Sequence, residues 1–68
     1  MSRCFLGSLV RAKPAEAMSR IGAAIAETGS AARAARVLGV PDRVLRLYVA
    51  ALGRREVYEI ALERMRGQ

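Results

Sequence analysis

The segment GSAARAARVLGVPDRVLRLYVAALG, residues 29–53, constrains the fold more than any other part of the chain. Its small side chains, Ala34 and Ala35, come before a glycine, and its larger aliphatics are spread over the turns that follow. Two helices that meet at a tight corner need this distribution. The residue at the contact must be small so that the helices can approach, and the corner needs a positive φ, which glycine adopts at little cost. Gly39 takes that position four residues after Ala35, flanked by the apolar Leu38 and Val40. Leu45 and Tyr48, spaced i,i+3, then close over the alanines from the second helix. The pattern predicts a helix over about 31–38, a turn, and a helix over about 41–52.

Helical signals continue on both sides. Alanine is abundant, β-branched residues are few, and no stretch alternates strictly between apolar and polar. A first helix is expected over about Ser2–Ala12, with Phe5/Leu9 and Leu6/Val10 paired at i,i+4. Pro14 suits the start of a second, over about Pro14–Thr28, whose buried stripe would be Met18, Ile21, Ile25 and Thr28. Gly29 fits a left-handed helix end and Ser30 an N-cap. Pro41 and Asp42 fit the first turn of the helix that follows Gly39. Gly53 is read as a break before a last helix, about Arg54–Arg66, rather than as the interior of one long helix running on to Met65. Val57, Ile60 and Ala61 share one side of that last helix, with Tyr58, Leu62 and Met65 nearby. The expected fold is all-α: a single domain over residues 1–68, a small four- to five-helix bundle containing a helix-turn-helix.

Size and charge narrow the function. Sixty-eight residues support one small core, so self-association is the expected extra source of stability. Cys4 is the only cysteine and there is no histidine, which excludes a disulfide within the chain and the common zinc patterns and points to a reducing compartment. The net charge is +6, and residues 1–46 hold eight basic against three acidic side chains. Eleven of the twelve basic residues are arginine, whose forked guanidinium matches phosphate and guanine; a skewed genome composition would give the same bias. A polyanion is the expected partner, nucleic acid ahead of an anionic membrane. The apolar run Cys4–Val10 is seven residues long between Arg3 and Arg11, too short to span a bilayer. The expectation is a cytoplasmic, nucleoid-associated protein of a bacterium or phage.

At residues 29–53 the chain resembles a known family. Gly29, Arg33-Ala34-Ala35, Gly39-Val40, Leu45-Arg46 and Gly53 are similar to the DNA-binding end of the factor for inversion stimulation (Fis), a module shared with the C-terminal domain of NtrC-type activators. The likeness covers about 25 residues without a gap. It implies that the helix over 41–52 enters the major groove and that a two-fold dimer reads two half-sites. It also implies that Arg33 contacts the DNA backbone, that Ser30 stands at a polar position beside it, and that Arg46 is a basic contact. Asp42 stands where the family is typically basic, and Val44 and Leu47 where it is polar or basic. A looser likeness links VLRLYVAALGRREV to the helix after the helix-turn-helix of ParB-type partition proteins.

The candidate DNA-contacting residues are therefore Ser30, Arg33, Arg36, Asp42, Arg43, Val44, Arg46 and Leu47. Arg43 and Arg46 share a face opposite Leu45 and Tyr48, so one arginine can read a guanine edge while the other holds a base or phosphate. The plain alternative is a solvated surface with Arg43 beside Asp42. Arg33 and Arg36 would grip the flanking backbone. Leu47 can touch a thymine methyl, or be covered together with Val44 by the last helix or by a protein partner. Tyr48 and Tyr58 read as core residues. Without histidine no nucleophile–base pair can be assembled, and Glu56, Glu59 and Glu63 have arginine neighbours, so no catalytic or metal site and no cofactor is expected. The expected function is sequence-specific binding of double-stranded DNA by a homodimeric transcriptional regulator. The rival is a module of the same fold that binds polymerase, a sigma factor or another regulator.

Overall fold

The structure is a computed structural model, and it describes residues 4–67. Among them the chain forms α1 (Cys4–Ala12), α2 (Pro14–Thr28), α3 (Ala31–Leu38), α4 (Asp42–Leu52) and α5 (Arg54–Arg66), with no strand. The fold is all-α. The expected start of the first helix at Ser2 lies outside the described residues.

Each boundary has a local cause. Pro14 drives the residue before it out of the α region, and Lys13 accordingly sits at φ −139°, ψ 72°, separating α1 from α2. Gly29 ends α2 with φ 87°, and Ser30 turns the chain into α3 with its Oγ accepting the Arg33 N–H at 3.1 Å. At the other end of α3, Gly39 adopts φ 77°, ψ 27°. The Gly39 N–H donates to the Arg36 carbonyl and the Val40 N–H to the Ala35 carbonyl, at 3.2 and 3.0 Å. This is the doubly bonded Schellman end, and its usual apolar contact is supplied by Val40 and Ala35, both in the core. Pro41 is the N-cap of α4 rather than its first residue, because its ψ of 148° is extended. Gly53, at φ 113° and ψ 98°, breaks α4 from α5 in a single residue.

Helix α2 is the centre of the bundle. It packs against α1, α3 and α5 and touches α4, and its contact with α5 is the most extensive in the molecule. Ile21, Leu45 and Val57 are the largest fully buried side chains, each from a different helix. Around them Ala17, Ala34, Ala35 and Ala61 are at most 1% exposed, so helix approach is set by alanines at several contacts. Met18 and Thr28, expected in the buried stripe of α2, are only half-buried. The Thr28 hydroxyl lies 2.7 Å from the Ala24 carbonyl, which keeps it at the rim. Ala17, Gly22 and Ala24 are buried in their place. Tyr48 and Tyr58 both pack against the core, and the Tyr48 ring reaches across to α1 at Gly7.

The corner makes a prediction that separates backbone strain from crowding. A Cβ placed on Gly39 meets nothing within 4 Å, so only its positive φ resists substitution. Gly39→Asn should cost little, since asparagine visits the left-handed region, whereas Gly39→Val should cost about 2 kcal/mol. Ala35→Leu, at a closed contact, should cost about 3 kcal/mol or more through overpacking. Urea denaturation followed by circular dichroism checks the order. Equal stability of the asparagine and valine variants would mean that φ is not the constraint at this turn.

Candidate nucleic-acid interface

The outward faces of α3 and α4 follow from which residues the core takes. On α3 the core takes Ala34 and Ala35, which leaves Arg33, Arg36 and Val37 exposed. On α4 it takes Leu45 and Val49, with Val44, Tyr48 and Leu52 half-buried beside them. At 100° per residue the opposite face of α4 then carries Arg43, Arg46, Leu47 and Ala50, and all four are exposed. Together α3 and α4 hold four arginines against one aspartate, a local excess of three positive charges on two packed helices.

Six of the eight candidates are polar or charged, and they separate into three groups. Arg33, Arg36 and Arg43 are exposed and, among the described residues, make no ion pair. Asp42 and Arg46 pair with each other at i,i+4, with the arginine side chain 74% exposed. The aspartate therefore neutralises Arg46 rather than Arg43, because one helical turn brings residues four apart into register. Asp42 also stands in the first turn of α4, where a negative charge complements the helix dipole. Ser30 is engaged as the N-cap of α3, so its oxygen serves the helix first.

The two apolar candidates part company. Val44 turns to the core, because it falls at the edge of the stripe formed by Leu45, Tyr48 and Val49; it is not a free surface residue. Leu47 is 68% exposed, so α5 does not cover it. Val37, which the sequence reading did not single out, is 66% exposed on α3. Arg54, at the start of α5, was also missed. It shares with Arg46 the border of a cleft of about 350 Å³ between α4, α5 and the first turn of α3. Only tertiary packing brings these two arginines together, and neither local spacing nor composition signals it. Of the acids of α5, Glu59 lies 3.9 Å from Arg55, one turn away, with both side chains in solvent.

Among the described residues no helix is long and apolar enough to cross a membrane. No family model, curated protein or solved structure matches the chain.

Proposed function

We propose that the protein binds double-stranded DNA as a homodimer, with α4 in the major groove and α3 against the flanking backbone, as a Fis-like regulator of transcription in the bacterial nucleoid or a phage. The observation that carries this reading is the division of α4 into two faces. One packs on α3 through the alanine corner, and the other offers Arg43, Arg46 and Leu47 to a partner. A major groove admits one helix, and exposed arginines on that helix suit guanine edges while Leu47 suits a thymine methyl. Arg33 and Arg36 then act on phosphates, which sets position and orientation rather than sequence.

A second reading draws on Leu47 and Val37. Two large apolar side chains about two-thirds exposed on adjoining helices also suit a protein surface, such as that of a polymerase or another regulator. Salt separates the two readings. With Arg33 and Arg36 on phosphates in both protomers, the slope of log affinity against log salt should be roughly −4. The test is selection of a preferred site from random duplexes, then salt titration on that site and on a scrambled one. Undetectable duplex binding at low salt overturns the DNA reading and leaves the protein-binding one.

A further inference from the structure

The cleft between α4 and α5 combines features that a solvated surface does not require. Its wall is apolar: Val49 and Ala50 of α4, Ala31 of the first turn of α3, and the Tyr58 ring of α5. Its charge comes from Arg46 and Arg54, and no carboxylate among the described residues lines it. Arg54 has no ion-pair partner among those residues; its guanidinium carbon is 5.9 Å from the Tyr58 ring centroid. That contact, at the outer limit of the cation–π range, places the cation at the border of the cleft and leaves its N–H donors available. Arg46 gives one edge to Asp42 and retains further donors. A volume of about 350 Å³ lies within the range of small-molecule sites, at its lower end.

We propose that this cleft binds a small organic monoanion, a carboxylate on an aromatic or short aliphatic body. The body would lie against Val49, Ala50 and Tyr58, and the carboxylate would take paired N–H donors from Arg54 with help from Arg46. Both halves of the ligand matter. An apolar wall bordered by two cations disfavours metal ions and amines, and a cleft this small does not enclose a large amphiphile. Because Arg46 also belongs to the proposed DNA face, occupancy would compete with duplex for that arginine; this consequence alone rests on the DNA reading.

Phenylacetate, acetate and benzyl alcohol are suitable probes, titrated into the full chain and followed by amide chemical shifts. Saturable phenylacetate binding is expected, with the largest shifts at Ala31, Ala50, Arg54 and Tyr58. Acetate and benzyl alcohol, each lacking one half, should bind at least tenfold more weakly. Arg54→Gln should weaken phenylacetate about tenfold or more, since it removes a charge-assisted contact. Arg64→Gln removes the same charge from the last turn of α5 and should leave the affinity within twofold. Equal losses in the two variants, or shifts spread over all the arginines, would reduce the effect to net charge and overturn the proposal. No saturable binding would overturn it as well. These measurements use no DNA, so this site and the duplex reading can fail separately.

Discussion

Gly22→Ala should lower the melting temperature by roughly 10–20 °C, although helix propensity alone argues for the opposite sign. An alanine inside a helix is ordinarily worth about 0.5–1 kcal/mol over glycine. At Gly22 a Cβ would sit 2.5 Å from Ile60 Cγ2, 2.9 Å from Ile60 Cβ and 3.3 Å from the Val57 carbonyl oxygen. Rotating Ile60 relieves the first of these but neither of the others, so α2 and α5 must separate at the largest helix contact in the protein. A net loss of about 2–3 kcal/mol is expected from overpacking, a large share of the stability of a domain this small. Adding Ile60→Ala to Gly22→Ala should recover little, because residue 60 keeps its Cβ and the Val57 carbonyl stays in place. A melting temperature at or above the parent's in the single variant would show that the crossing has slack.

Replacing Arg33, Arg36 and Arg43 together by alanine should reduce duplex affinity on the order of a thousandfold and remove most of the salt slope. These three are the candidates with no carboxylate partner among the described residues, and their exposure means the fold does not depend on them. A circular dichroism melt close to the parent's should accompany the loss. The single variants separate the roles. Arg33→Ala should weaken all sequences alike, whereas Arg43→Ala should cost about 1–3 kcal/mol on the selected site and little on scrambled DNA. Asp42→Ala acts in the other direction. It frees Arg46 from its ion pair and removes the one acidic charge on α3 and α4, so binding to every duplex should tighten. Loss of specificity without tightening would instead assign Asp42 to a cytosine amino group. An unchanged slope in the triple variant would place the DNA contacts elsewhere on the chain.

The sequence alone determined the helices and their ends. Pro14, Gly29, Ser30, Gly39 and Gly53 act within a few residues of themselves: a fixed or positive φ, or one capping bond, is a local quantity. The alanine–glycine corner was legible for the same reason, since Ala34, Ala35, Gly39 and Val40 lie within one turn and its exit. The tertiary structure decided which side of each helix faces a neighbour, and at what distance. Gly22 reads in sequence as a weak point in α2, and only the arrival of α5 makes it the place where two helices touch. Val44 and Leu47 are both apolar and three residues apart on α4, yet the core takes one and leaves the other. Arg46 and Arg54 meet at one cleft because α5 folds back after Gly53. These are long-range outcomes: each depends on residues whose neighbours are set by packing rather than by order along the chain.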